Sequence, residues 1–335
     1  MAATAETGAR PDLGRCVVVA IGRNEGERLR KCLESLPSTV ALVVYVDSGS
    51  SDGSVEMSRA RGAEVVELDM QVPFTAARAR NAGLKRLREM RPDVDLVQYV
   101  DGDCILVDGW LESAIATIDG DPELAVVCGR RREIAPGASS YNRLIDMEWD
   151  TPVGRAESGG GDAFMRIAAV EDVGGYDATL IAGEEPELCA RLRARGWTIR
   201  RIAAEMTFHD AALHRFGQWW KRMVRGGHGY AEIHAMHAEM WGRQTVSAVA
   251  WGLCVPLLIA VAAVYTNGVG FALLLLYPVQ CARIARMRRA RGDEIYAALL
   301  YASFCVLGKT PEGLGVLRFW WNRLRRRRAR LIEYK

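Results

Sequence analysis

The stretch LVQYVDGD, residues 96–103, decides the fold. Leu96 to Val100 is an apolar run of strand length, and it empties directly into Asp101-Gly102-Asp103, so two carboxylates stand where a strand ends. Upstream, the same alternation of β-branched runs and helical patterns recurs. Cys16 to Ile21 reads as a first strand, followed by the turn Gly22 to Gly26 and a helix whose Leu29, Cys32, Leu33 and Leu36 share one face before Pro37 stops it. A second strand, Ala41 to Val46, runs into the polar loop Asp47 to Asp52. A helix to Arg61, a third strand from Glu64 to Leu68 and a helix from Phe74 to Met90 complete the series. Strands alternating with helices predict an α/β fold with a mostly parallel sheet flanked by helices. Open sheets of this kind bind ligands at the carboxyl ends of their strands, where Asp101 and Asp103 lie.

Gly102 lets the backbone turn sharply and bring both acids toward one hard cation, for which Mg2+ or Mn2+ is suited. A divalent ion held by one or two carboxylates completes its shell with water and substrate phosphates, so the pair implies a diphosphate ligand. In isolation Asp-Gly-Asp is more often a plain surface turn, and the neighbouring motifs decide between the two readings.

The 335 residues, half hydrophobic and a quarter charged, suffice for one large or two ordinary globular domains, which excludes a small disulfide scaffold and a wholly disordered chain. A net charge of +3 hides an asymmetry: from Arg283 to Lys335 there are 14 basic residues against 4 acidic, so an acidic body carries a basic tail. The eight cysteines have no CxxC pair or metal-ligand spacing and read as reduced, mostly buried thiols. Residues 1–14 lack a basic-then-apolar signal pattern and read as a disordered lead-in to a cytosolic body.

Between Arg243 and Arg283 lie 39 uncharged residues, broken by Thr266-Asn267-Gly268. A helical span needs about 20 residues, so the run fits a membrane hairpin in which Thr245 to Tyr265 crosses and Val269 to Ala282 is marginal, able to re-enter without spanning. Arg243 on one flank and Arg283, Arg286, Arg288, Arg289 and Arg291 on the other put both ends on the cytoplasmic side. The apolar stretch Ile295 to Gly308 reads as interfacial or re-entrant, and Phe319, Trp320 and Trp321 beside the arginines Arg323 to Arg330 suit anionic membrane lipids. Nucleic acid is not expected as a partner, because the apolar hairpin adjoins the basic run.

Six stretches in order across residues 15–235 resemble the inverting glycosyltransferases of family 2, membrane-associated bacterial type, which have the GT-A fold. They are VVVAIGRNEGERLRKCLESL (17–36), VDSGSSDGS (46–54), ARARNAGL (77–84), VQYVDGD (97–103), GGGDAFMRIAAVEDVGGYD (159–177) and AGEEPELCARLRARGW (182–197). The resemblance implies a Rossmann-like GT-A domain over 15–240, followed by a C-terminal helical membrane hairpin, interfacial helix and basic tail over 241–335. It assigns the base and ribose of a nucleoside diphosphate sugar to Ala20, Gly22, Asn24 and Glu25 and to Asp47 and Ser48, with Arg80 and Asp101 toward the phosphates. Ser48 stands where the family often has a second Asp, and Asp47 and Asp52 can instead brace their own loop. The metal falls to Asp101 and Asp103, with His209 as a third ligand after the last strand. Glu185 is the expected catalytic base, and Glu184 the alternative. Gly160, Gly161 and Asp162 would meet donor or acceptor sugar. Trp219 and Trp220 would stack on an acceptor, or equally belong to an amphipathic helix on the membrane.

The resemblance therefore implies a metal-dependent, hexosyltransferase-like enzyme at the cytoplasmic face of the inner (plasma) membrane. It would move one sugar to a lipid-linked, polyprenyl-borne glycan acceptor in surface polysaccharide assembly, and the alternative is a non-catalytic membrane scaffold with the same fold. Translocating synthases of the family carry Gln-x-x-Arg-Trp, but Gln218 is followed here by Lys221 and Arg222, which favours single additions. Gly22 to Gly26 lacks the glycine-rich, lysine-bearing loop of a sugar-phosphate nucleotidyltransferase.

Overall fold

The computed structural model describes residues 11–326 and residue 332, so residues 1–10 of the expected lead-in and 327–330 of the arginine run lie outside the described residues. The chain forms two compact units. The first comprises the chain up to Ile134, Trp149–Thr179 and Glu184–Asp210, and the second comprises Ala135–Glu148, Leu180–Gly183 and the chain from Ala211 on.

The first unit is built on one sheet of nine strands: β1 (Cys16–Gly22), β2 (Leu42–Asp47), β3 (Glu64–Glu67), β4 (Leu96–Asp101), β5 (Cys104–Leu106), β6 (Leu124–Glu133), β7 (Gly154–Arg155), β8 (Phe164–Arg166) and β9 (Thr198–His209). Their order is β3-β2-β1-β4-β8-β6-β9-β5, with β7 beside β9. β1 to β4 run parallel, as do β6 and β9, while β8 lies antiparallel between β4 and β6. Val17 and Val19 enter one core cluster and Val18 and Ala20 another, so helices cover both faces of β1 and its sequence reads as a continuous apolar run. Strand order reverses between β1 and β4, and a parallel sheet opens a ligand crevice at the carboxyl ends flanking such a reversal. Gly102 N donates to Ile21 O at 2.7 Å, which ties the Asp-Gly-Asp turn to the end of β1.

Helix Ala76–Met90 buries Ala77, Arg80, Gly83, Leu84 and Leu87. A Cβ on Gly83 would collide with Val19 Cγ1, so this glycine lets the helix lie directly on β1. Arg80, one turn earlier on the same face, is thereby fixed beneath the sheet edge.

In the second unit, two long apolar helices, Gly242–Tyr265 and Val269–Ala290, are joined by a turn at 266–268. Tyr277 Oη donates to Trp251 O at 3.3 Å, so the arms lie side by side as a hairpin. The second arm is longer than the uncharged run suggests, because helix continues through Arg283, Arg286, Arg288 and Arg289. Arginine stems can lie along an apolar surface while their heads reach water, so charge need not end the span. The arms contain 24 and 22 residues, long and apolar enough to cross a bilayer by length and composition. Leu257, Leu258, Val264, Val269 and Leu275 are exposed along them. Helix Ile295–Leu307, with 13 residues, is too short to cross.

Helices Phe216–Met236 and Lys309–Leu324 meet backbone to backbone: a Cβ on Gly227 would collide with the Glu312 carbonyl, and one on Gly315 with that of Val224. Gly227→Ala is expected to destabilise this unit by about 1–3 kcal/mol through overpacking. The measurement is the thermal unfolding midpoint of detergent-purified protein, and an unchanged midpoint would refute the close-packing account.

Candidate active site

The site begins with the turn after β4. β5 pairs antiparallel with β9 and sets Cys104 opposite His209, which brings the side chain of Asp103 to the end of the longest strand. Asp103 Oδ1 stands 3.1 Å from His209 Nε2, and Asp103 is 6% exposed. The His209 ring packs on Trp149 with centroids 4.8 Å apart, and its Nδ1 is buried with no hydrogen-bond partner among the described residues. Donor atoms of Asp103, Cys104 and His209 all lie within 4.8 Å of one another. Burial pushes the Cys104 thiol well above its usual pKa, aided by the charges of Asp103 and Asp101, which keeps the thiol protonated. The carboxylate oxygen of Asp103 and the imidazole nitrogen of His209 are donors suited to Mg2+ or Mn2+.

Asp101 is drawn to a different partner. Arg80 is buried and bifurcates: Nη2 donates to Asp101 Oδ1 at 2.8 Å and Nη1 to Glu184 Oε1 at 2.9 Å. Its guanidinium also lies 5.7 Å from the centroid of the Tyr176 ring. Burial alone would lower the Arg80 pKa, but the charges of Asp101 and Glu184 outweigh it, and the group is held above its ordinary value. A buried cation needs such pairing, and here the pairing joins the end of β4 to helix Glu184–Ala194. A Cβ on Gly161 would stand 2.5 Å from Arg80 Nη2, so the glycine run leaves room for the arginine.

Glu184 and Glu185 open that helix, where negative charge is favoured by the helix dipole. The two differ in what they touch. Glu184 is committed to Arg80, whereas Glu185 is 3% exposed and accepts at Oε1 from Gly159 N at 2.7 Å and Cys189 Sγ at 2.8 Å. Glu185 Oε2 is buried with no hydrogen-bond partner among the described residues. Burial and the charge of Glu185 raise the Cys189 thiol well above its usual pKa, so it remains a donor.

On the side expected to hold nucleotide, Asp47 is a brace. Tyr45 Oη donates to its Oδ1 at 2.9 Å, and the amides of Gly49 and Ser50 donate to its Oδ2 at 2.8 Å each. Asn24, at φ 54°, takes Ser51 N on its Oδ1 at 2.8 Å and gives its own N to Ser50 Oγ at 2.8 Å, which staples the two loops together. Gly22 pairs with Asp47 across β1 and β2, and Glu25 forms an ion pair with Arg28 at 2.7 Å. Ser48 is fully buried, and its hydroxyl has no hydrogen-bond partner among the described residues.

Three expectations change. Ala20 is 0% exposed inside the core cluster around Leu29 and Tyr45, so its side chain meets no ligand. Asp162 is also 0% exposed, paired with Arg131 and accepting from the Thr207 hydroxyl, so it anchors β6 and β9 instead of meeting a sugar. Trp219 is 2% exposed among Phe216, Tyr141 and Phe304, and its ring is part of that aromatic core instead of a stacking platform. Trp220 is half-buried and packs on Phe216. Gly160, at φ 91°, abuts Arg131. Sequence reading passes over Trp149 and Arg131, which stand in no recognisable motif, and takes Cys189 only as a buried thiol within AGEEPELCARLRARGW.

Residues 17–161 match the model of Glycosyl transferase family 2. The chain is 26% identical to Glycosyltransferase AglE of Haloferax volcanii over 63% of this chain and 71% of that protein. It is 28% identical to Pre-mycofactocin glycosyltransferase of Mycobacterium tuberculosis over 70% of this chain and 51% of that protein, and so spans about half the length of this relative. Among solved structures, the mannosyltransferase PcManGT from Pyrobaculum calidifontis, in complex with GDP-Man and Mn2+, aligns with a TM-score of 0.60 at 15% identity, covering 93% of this chain and 90% of that one. GalNAc-T7 with UDP, GalNAc and Mn2+ aligns with a TM-score of 0.50 at 13% identity, covering 71% and 51%. These structural likenesses carry the fold. The family match takes in β1, the braced loop, Arg80 and the Asp-Gly-Asp turn, so residues 17–161 resemble glycosyltransferase family 2, and the curated relatives that the chain matches are themselves glycosyltransferases.

Proposed function

We propose that the chain transfers a single hexose-like sugar from a nucleoside diphosphate donor to a polyprenyl-linked glycan at the cytoplasmic face of the inner membrane, with inversion at the anomeric carbon, in surface polysaccharide assembly. The observation that carries this reading is the double engagement of Arg80, which joins the carboxylate ending β4 to Glu184 at a helix N-terminus. Asp101, Asp103 and His209 would hold Mg2+ or Mn2+, which when bound neutralises charge on the departing diphosphate. Glu185 Oε2 accepts the proton of the acceptor hydroxyl, whose oxygen bonds to the anomeric carbon. The bond from that carbon to the diphosphate oxygen breaks, and its electron pair leaves with the nucleoside diphosphate. Glu184 holds Arg80 in place for the phosphates.

The GDP-Man and Mn2+ of PcManGT and the UDP and Mn2+ of GalNAc-T7 support the donor class and the cation. Attachment to an anionic bilayer is supported by the two apolar arms and by exposed Trp320 and Trp321, whose rings carry Arg323 at 5.7 Å and Arg325 at 4.1 Å.

The test incubates detergent-purified protein with radiolabelled UDP-, GDP- and dTDP-sugars, Mn2+ and a polyprenyl-diphosphate glycan. Label from one donor class is expected to enter the lipid extract only when a divalent cation is present, with inverted configuration. Nucleotide binding without lipid labelling would overturn the acceptor assignment. A folded protein that binds no nucleotide would point to a non-catalytic membrane scaffold.

A further inference from the structure

We propose that Trp149 is a positioning residue of the metal centre, its indole fixing the His209 imidazole against Asp103 and so setting affinity for the divalent cation. The inference rests on the reading of Asp103 and His209 as metal ligands. A histidine that binds a metal through one ring nitrogen is ordinarily oriented by a hydrogen bond from the other to a carboxylate, carbonyl or water. His209 departs from that pattern: Nε2 faces Asp103 at 3.1 Å, while Nδ1 is buried with no hydrogen-bond partner among the described residues. The contact that remains to hold the ring plane is with Trp149, at a centroid distance of 4.8 Å and an interplanar angle of 44°.

Trp149 is itself held. The Arg131 guanidinium lies 5.2 Å from the centroid of its ring, a cation–π distance. Arg131 pairs with the fully buried Asp162, which also accepts from the Thr207 hydroxyl, and Arg131 and Thr207 are register partners across β6 and β9. The indole is thus braced from the sheet that carries His209. Aromatic packing replaces the missing hydrogen bond, and it limits rotation of the imidazole without competing for its nitrogens.

The test measures Mn2+ binding by electron paramagnetic resonance of the free ion, together with the quenching of tryptophan fluorescence by Mn2+. Trp149→Leu, which keeps apolar bulk but loses the ring, is expected to weaken Mn2+ affinity by about tenfold or more, the cost usual for losing an outer-shell partner. Trp149→Phe keeps a ring against His209 and is expected to keep affinity near that of the parent chain, while removing the Trp149 share of the Mn2+ quenching. Unchanged affinity in Trp149→Leu overturns the proposal. So does quenching that is undiminished in Trp149→Phe, a result that stands even if the leucine variant fails to fold. Asp103→Ala is the reference: if the parent binds no Mn2+, or binds it as well without Asp103, the metal reading itself fails and takes this proposal with it.

Discussion

Asp103→Ala is expected to abolish the Mn2+-dependent part of nucleoside diphosphate binding and to lower turnover by about 10³-fold, equivalent to about 4 kcal/mol of transition-state stabilisation. The size follows from position. Asp103 is 6% exposed and its Oδ1 is 3.1 Å from His209 Nε2, so the change removes one proposed ligand and leaves a second without its neighbour. Asp101, already one of the proposed ligands and with its Oδ1 engaged by Arg80, does not make up for the lost carboxylate. Asp103→Asn separates charge from shape: the amide keeps the volume but not the anionic oxygen, and it should bind Mn2+ nearly as poorly as alanine. Both comparisons are made by titrating nucleotide with and without Mn2+, with a thermal melt in the absence of metal to confirm folding. Metal-dependent binding that survives in the folded alanine variant would sink the assignment.

Much of this edge was legible in the sequence because it depends on local order. An apolar run followed at once by Asp-Gly-Asp must deliver its acids at a strand end, and β4 ends at Asp101. The close approach of Gly83 to Val19, by contrast, is not read from ARARNAGL and is visible only in the packed helix. Contacts made across long stretches of chain left no such trace. Asp162 follows three glycines, which suggests an open loop; its burial is set by Arg131 on β6, 31 residues away. Trp219 looks like a surface aromatic beside Lys221 and Arg222 until Tyr141 and Phe304 close over it. The end of the second apolar arm was misplaced for a different reason: a run of arginines resembles a membrane boundary, but helix geometry is indifferent to their charge and continues to Ala290. Consecutive acids pose the narrowest problem. Neighbouring residues on a helix point about 100° apart, so one of Glu184 and Glu185 meets Arg80 and the other does not, and only the packed structure says which.

Glu185→Gln is expected to lower kcat by about 10²- to 10⁴-fold, the range for loss of a general base, with little change in nucleotide affinity. The substitution is close to isosteric, and the surroundings favour one orientation of the amide. Gly159 N and Cys189 Sγ both donate to Oε1, so the glutamine carbonyl oxygen takes that place and the NH2 group takes the place of Oε2. The position proposed to accept the hydroxyl proton then carries a donor. Glu184→Gln should behave differently, because its carboxylate pairs with Arg80 at 2.9 Å and through Arg80 with Asp101. Weakening that pair is expected to raise the apparent Kd for nucleoside diphosphate more than it lowers kcat. The two variants thus predict opposite splits between turnover and binding, read from steady-state kinetics and nucleotide titration on the same preparations. If turnover collapses in Glu184→Gln and persists in Glu185→Gln, the base is Glu184, and the unpartnered Oε2 of Glu185 serves packing alone.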